Sequence, residues 1–307
     1  MRLPEQHTHR LIDGLTRSRF SFALYRLPWT DECHFVFQTS EEVEKLHDIS
    51  EMNGKKGFVI SPFKQTDKHP IVLIRPDMTA YDWDEITQSL NSLKYEDDIL
   101  DHKQTDSQTT STLTEKERYE QYCNAFKRFM EPLQKNSYKK LVLSRSESHP
   151  LADDFSPLST FVKACNAYPR MMIYLYHTPS TGTWIGSTPE IILSGQAKDW
   201  KTVALAGTMP ITTELEPTNW SEKNKEEQAL VAEYIRKIIK KHGQKMTEKG
   251  PYTARAGQLV HLKTDFLFQQ KDTKSLGNLL NELHPTPAIC GLPKSEAYQF
   301  ITEHEGY

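Results

Sequence analysis

The sequence predicts an α+β protein with a largely antiparallel sheet, on two observations. Short runs rich in β-branched and aromatic residues outnumber the stretches with helical periodicity. Most of these runs are separated by turn-length breakers, which favours antiparallel neighbours over parallel crossover units.

The strands come first. Residues 20–25, 34–37, 57–60 and 71–74 each read as a strand, punctuated by Pro28, Asn53-Gly54, Pro62 and Pro70. Residues 97–111 are almost wholly polar and predict an exposed connector. A helix is expected next. Thr114 and Glu117 have capping-box spacing, and Tyr119, Tyr122, Cys123, Phe126, Phe129, Met130 and Leu133 recur with helical period. Further strands are expected at 140–144, 171–176, 184–187, 190–193 and 202–206, with a short helix at 158–165. A long amphipathic helix is expected at 221–241. Its stripe is Leu230, Val231, Tyr234, Ile235, Ile238 and Ile239, and Gly243 offers a stop. A last helix is read at 295–304.

Bulk properties exclude several classes of function. The 307 residues carry 38 Lys plus Arg against 41 Asp plus Glu, a net charge of −3. That balance lacks the basic excess of a nucleic-acid binder. No tract reaches the roughly 18 apolar residues of a membrane span, and the polar start lacks the apolar region of a secretory signal. Cys33, Cys123, Cys165 and Cys290 show no CxxC spacing, as expected of free thiols in a reducing compartment. A soluble cytoplasmic protein is expected.

A few residues are awkward for a purely structural reading. Lys140 would share a strand face with Val142 and Ser144, so it is either a buried functional amine or a strand-end lysine reaching solvent. Glu190 follows the turn signal Ser187-Thr188-Pro189 and precedes Ile191-Ile192-Leu193. It is either a carboxyl that desolvation keeps protonated, fit for acid catalysis, or an ordinary turn residue. Spacing alone favours the plainer alternative for both. Glu227 continues the apolar stripe of the long helix into its first turns. It either needs a partner such as Mg²⁺ or simply complements the helix dipole. Gly207 ends a strand beside Thr208, where a backbone approaches a ligand or makes a turn. Residues 283–293 hold three prolines and a glycine around His284, which suits a shaped loop or a plain connector.

Taken in order, six segments resemble the chorismate-binding family of isochorismate, salicylate, anthranilate and aminodeoxychorismate synthases. They are 140–145 (KLVLSR), 184–193 (WIGSTPEIIL), 202–208 (TVALAGT), 223–231 (KNKEEQALV), 255–262 (RAGQLVHL) and 283–293 (LHPTPAICGLP). The resemblance implies a large, mostly antiparallel β-sandwich with helices packed outside, like anthranilate synthase component I. It implies a variable N-terminal half at 1–112 and a chorismate-binding core at 113–307. Family members normally continue further, so a C-terminally incomplete copy is expected.

The resemblance also implies a chemistry. A lysine before the VLSR-like strand marks members that use water as nucleophile, so isochorismate synthase is expected. Lys140 would be the general base and Glu190 the general acid, with Mg²⁺ on Glu227 and the substrate ring lined by Gly207, Thr208, His284 and Ala288. A free lysine has a pKa of about 10.4 and a free Glu about 4.3, so both need reversed protonation, which burial promotes. Two positions depart from the family pattern: Asn224 stands where an acid is usual and Gln228 where a histidine is. Salicylate synthase and a non-catalytic chorismate-fold binding protein are the alternatives; a binding module would need neither Lys140 nor Glu190. The partner expected is chorismate alone, without nucleic acid or membrane, on a monomer or weak dimer serving menaquinone or siderophore synthesis.

Overall fold

The computed structural model of the chain describes residues 1–93, 96–100, 114–211 and 219–306. The chain folds as two compact units. One comprises Met1–Asp106, Asp153–Glu190 and Arg255–Leu259; the other comprises Ser107–Ala152, Ile191–Ala254 and Val260–Tyr307. The boundary expected at 112/113, and most of the connector expected at 97–111, lie outside the described residues.

The first unit begins with α1 (Gln6–Leu15), β1 (Ser21–Arg26), β2 (His34–Gln38), β3 (Glu44–Leu46) and β4 (Phe58–Ile60). It continues through β5 (Ile71–Ile74), β6 (Met78–Tyr81), α2 (Asp82–Asn91) and α3 (Glu96–Leu100). The chain then supplies α4 (Glu115–Gln134) and β7 (Lys140–Leu141) to the second unit. It returns to the first with α5 (Pro157–Ala167), β8 (Met172–Thr178) and β9 (Gly182–Thr188). The remainder, apart from Arg255–Leu259, builds the second unit: β10 (Ser194–Gln196), β11 (Asp199–Pro210), α6 (Glu222–His242) and β12 (Gly243–Ala256), then β13 (Leu259–Gln270), α7 (Leu276–Leu283), β14 (Gly291–Leu292) and α8 (Lys294–His304).

In the first unit a five-stranded sheet runs β6-β2-β1-β8-β9, and its pairings are antiparallel. Alternation along the strands gives it two apolar faces. Phe22, Leu24, Phe35, Phe37, Ile173 and Leu175 pack with Leu11, Ile12 and Leu15 of α1 and with Leu158 and Phe161 of α5. The intervening Ala23, Val36 and Tyr176 pack with Ile74 of β5 and Phe58 of β4, which belong to a smaller sheet ordered β3-β5-β4. Each buried Phe, Leu or Ile contributes about 1.5–3 kcal/mol of transfer free energy. A one-residue slip would exchange the two faces, so the register is strongly set.

In the second unit a sheet runs β10-β11-β13-β12. Val231, Ile235, Ile238 and Ile239 of α6 pack on Ala204 and Ala206 of β11 and on Phe266 and Phe268 of β13. Ser221 caps the start of α6 by accepting the Asn224 backbone N–H. The expected stop at Gly243 holds, by a different mechanism. Gly243 is extended rather than left-handed and leads straight into β12; a Cβ there would lie 2.6 Å from the Phe268 ring. α4 begins with the expected capping box, and of its apolar stripe Phe129 is buried while Tyr119 and Phe126 are exposed. Phe129 and Tyr138 pack on Phe300 of α8, with ring centroids 5.2 and 5.3 Å apart. Among the described residues no helix is long and apolar enough to cross a membrane.

Two expected strands come out differently. The strand expected at 140–144 forms only over Lys140–Leu141, paired with Leu292 and Gly291 of β14. Val142 N–H still donates to Cys290 O at 2.9 Å, but there the partner chain turns back on Thr286 and the ladder ends. Ser144 N–H instead donates to the Glu305 carboxylate at 2.7 Å. Residues 190–193 form no strand. Glu190 N–H donates to Thr188 Oγ1 at 3.1 Å, a local turn that competes with strand pairing.

Candidate active site

Three of the expected site residues converge in the second unit. Lys140 stands on β7 with its side chain 14% exposed. Its Nζ lies 3.0 Å from Glu227 Oε1 and donates to the Ala288 carbonyl at 3.2 Å. Glu227 comes from the start of α6, whose cap places it within two turns of Ser221. Ala288 comes from the loop between α7 and β14. A partly buried ammonium thus meets one carboxylate and one carbonyl from two other segments. Three segments far apart in sequence meet at one amine.

The loop that supplies Ala288 is itself tied down. His284 N–H donates to Leu280 O at the end of α7, while the N–H groups of Ile289 and Cys290 both donate to Thr286 O. Lys294 closes its neck, with Nζ donating to His284 O at 2.7 Å and to Glu282 O at 2.8 Å. The same amine lies 5.8 Å from the centre of the Tyr234 ring, whose hydroxyl also donates to Glu282 O. Burial pushes the Lys294 amine below its ordinary value, against the pull of Cys290 and Glu282. Lys294 stands in no recognisable motif of the sequence. Its one signal was a cation on the first residue of a helix, where the dipole disfavours it unless something else holds it. His284 is held below its ordinary value by burial, reinforced by the charge of Lys294. Its Nε2 is buried with no hydrogen-bond partner among the described residues.

Gly207 and Thr208 form a second cluster in the same unit. Gly207 has φ +72°, and a Cβ there would lie 3.2 Å from both Cβ and the carbonyl oxygen of Asn224. Glycine is needed so that β11 can approach the first turn of α6. Thr208 Oγ1 lies 3.1 Å from His261 Nδ1. Burial lowers the His261 ring from its ordinary value, opposed by its hydrogen bond to the Gly207 backbone. His261 was inside a recognised segment but not singled out. Its signal was an inconspicuous polar residue between buried Val260 and Leu262.

Gln228, which departs from the family pattern, does not face Lys140. It is buried, and its Nε2 donates to Ala204 O at 3.1 Å and to Thr264 Oγ1 at 3.0 Å. It ties α6 to β11 and β13. Glu190 belongs to the first unit, two residues beyond β9, and is half-buried. The hairpin before it is closely packed: a Cβ on Gly186 would lie 2.1 Å from Cζ of Tyr174, its cross-strand partner.

Among the described residues no group of three or more His, Cys, Asp or Glu side chains could cage a metal ion. Mg²⁺, however, keeps several waters and usually takes one or two carboxylates plus oxygens of an anionic substrate. Glu227 fits that demand. It is a 29% exposed carboxylate that already holds a cation, the Lys140 ammonium, at 3.0 Å.

A family model described as "Chorismate binding enzyme" matches residues 32–307. The chain is 27% identical over 177 residues to the salicylate biosynthesis isochorismate synthase of Pseudomonas aeruginosa, covering 55% of this chain and 37% of that protein. It is 27% identical over 144 residues to isochorismate synthase EntC of Escherichia coli, covering 44% and 37%. To isochorismate synthase MenF of Haemophilus influenzae it is 23% identical over 193 residues, covering 61% and 45%. The chain therefore spans less than half the length of these curated relatives. The putative 2,3-dihydroxybenzoate-specific isochorismate synthase DhbC of Bacillus anthracis superposes with a TM-score of 0.70 at 20% identity, covering 99% of this chain and 82% of that one. MenF, the menaquinone-specific isochorismate synthase of Escherichia coli, gives 0.64 at 15% identity, covering 96% and 76%. The α+β, antiparallel architecture is shared with both.

Proposed function

Because the chain belongs to the chorismate-binding enzyme family, we propose that it acts as an isochorismate synthase, an isomerase that adds water at C2 of chorismate and expels the C4 hydroxyl. One observation supports this above the rest: the Lys140 amine is partly buried where β7, α6 and the 284–293 loop meet. A lysine that served only to reach solvent would not be held by a carboxylate and a carbonyl from two other segments.

In the proposed mechanism Lys140 Nζ accepts a proton from the attacking water, and the Glu190 carboxyl gives its proton to the departing C4 hydroxyl. The hydroxyl leaves as water, so the substrate is isomerised with no net change in atoms. In this scheme both groups act in their neutral forms. Glu227 would hold Mg²⁺ together with the ring carboxylate, and the bound ion would offset the charge of a dianionic substrate. Gly207, Thr208, His284 and Ala288 would line the ring, with His261 orienting Thr208. The protein would act in the cytoplasm as a monomer or weak dimer, in menaquinone or siderophore synthesis.

The test is incubation of the purified protein with chorismate and Mg²⁺, followed by chromatography and mass measurement. Isochorismate has the mass of chorismate and a different retention time; salicylate would be lighter by the loss of pyruvate. A protein that leaves chorismate unchanged defeats the proposal.

A further inference from the structure

The contact between Lys140 and Glu227 has a bearing on metal binding. Nζ of Lys140 occupies the space beside Glu227 Oε1, at 3.0 Å. A divalent ion bound through that oxygen would need the same space. An ion on the other carboxylate oxygen would still face a like charge a few ångströms away, in a partly buried setting where screening is weak. Among the described residues, no second carboxylate relieves the conflict from the flanking positions on this side of α6. Asn224 is uncharged, and Gln228 is committed to Ala204 and Thr264. Once Glu227 is taken, Lys140 keeps, among the described residues, the uncharged Ala288 carbonyl at 3.2 Å.

We propose that Lys140 and a divalent cation are alternative partners of the Glu227 carboxylate, so that the lysine gates metal binding and the metal releases the lysine. This rests on the reading of Glu227 as a metal ligand. The consequence is an ordered site. Before the ion arrives the amine is tied to Glu227; afterwards Nζ is free to turn to a water.

The experiment is a titration of the purified protein with Mn²⁺ alone, following loss of the free-ion paramagnetic resonance signal, without substrate. Three variants are compared with the parent: Lys140→Met, Lys140→Arg and Glu227→Gln. Lys140→Met removes the competing cation at similar volume and should tighten Mn²⁺ binding about tenfold or more. Lys140→Arg keeps a permanent cation and should bind no better than the parent, which separates loss of charge from mere repacking. Glu227→Gln should lose binding. Equal affinity in the parent and Lys140→Met, with binding lost in Glu227→Gln, overturns the competition and leaves the metal assignment standing. Unchanged binding in Glu227→Gln overturns both. Absence of binding in Lys140→Met also refutes the proposal, since an unmasked carboxylate should then be open to the ion. Circular dichroism of each variant confirms that the fold is retained.

Discussion

The two units of this chain place their chemistry by different means. In the first, Glu190 follows a hairpin of adjacent strands, β8 and β9, whose register is set by cross-strand neighbours such as Leu175 with Ile185 and Tyr174 with Gly186. The two strands that lead to it are neighbours in sequence, β8 at Met172–Thr178 and β9 at Gly182–Thr188. In the second, Lys140 finds Ala288 across a separation of 148 residues and meets Glu227 from a third segment. The first arrangement follows from local pattern; the second exists only when α6, the 284–293 loop and the β7–β14 pair have all formed. A hairpin tolerates distant change well. A three-segment centre inherits every error in the elements that build it.

The largest effect expected concerns both places at once. Lys140→Ala and Glu190→Gln should each lower chorismate turnover by about 10²–10⁴-fold, the usual contribution of one placed acid or base, with circular dichroism unchanged. Near-parental turnover in either purified variant would break the idea that the two residues share one reaction.

Gly186→Ala tests the local arrangement. The added methyl meets the Tyr174 ring, which must shift, and the expected loss of stability is about 1–3 kcal/mol in urea unfolding. Combining it with Tyr174→Ala should give a clear favourable coupling in a double-mutant cycle. Strict additivity would mean that the hairpin yields elsewhere. Gly207→Ala tests the second unit in the same way. At φ +72° a side chain is strained by about 1–2 kcal/mol, with Asn224 close behind it, so the thermal midpoint should fall. An unaltered midpoint would show that β11 and α6 relax together.

The smallest effect expected is on pH. Burial lowers His34 and His177 in the first unit and His261 and His284 in the second from the ordinary 6.5. Below pH 6.5 the unfolded chain takes up protons that the folded chain refuses. Stability is therefore greatest above 6.5 and falls on acidification toward the folded-state values. Replacing the buried His177, whose ring faces Ser18 O and Thr183 Oγ1, with Gln should flatten that slope by up to about 1.4 kcal/mol per pH unit. An unchanged slope would assign the acid sensitivity to other groups.

Much of the fold was readable where a local rule applies. The capping box at Thr114, the stripe of α6 and the strands β1, β2, β5 and β8 followed from spacing alone. α1 and α2 went unread, as did the long strands β12 and β13. β12 begins Gly-Gln-Lys-Met-Thr-Glu-Lys-Gly-Pro, with no apolar alternation; it is a strand because β13 lies beside it. The strand expected from Leu141-Val142-Leu143 shrank for the opposite reason: its propensity is high, but β14 offers only two residues to pair with.

The sequence alone determined the α+β class, the main helices and the order of the motif segments, because periodicity, caps and breakers act between residues a few positions apart. Only the tertiary structure decided that Lys140 is tied to Glu227, that Gln228 turns into the core, and that Lys294 holds the loop carrying Ala288. Those choices depend on which groups from distant segments are left to satisfy one another once the sheet and helices have packed. No spacing within a single segment encodes that.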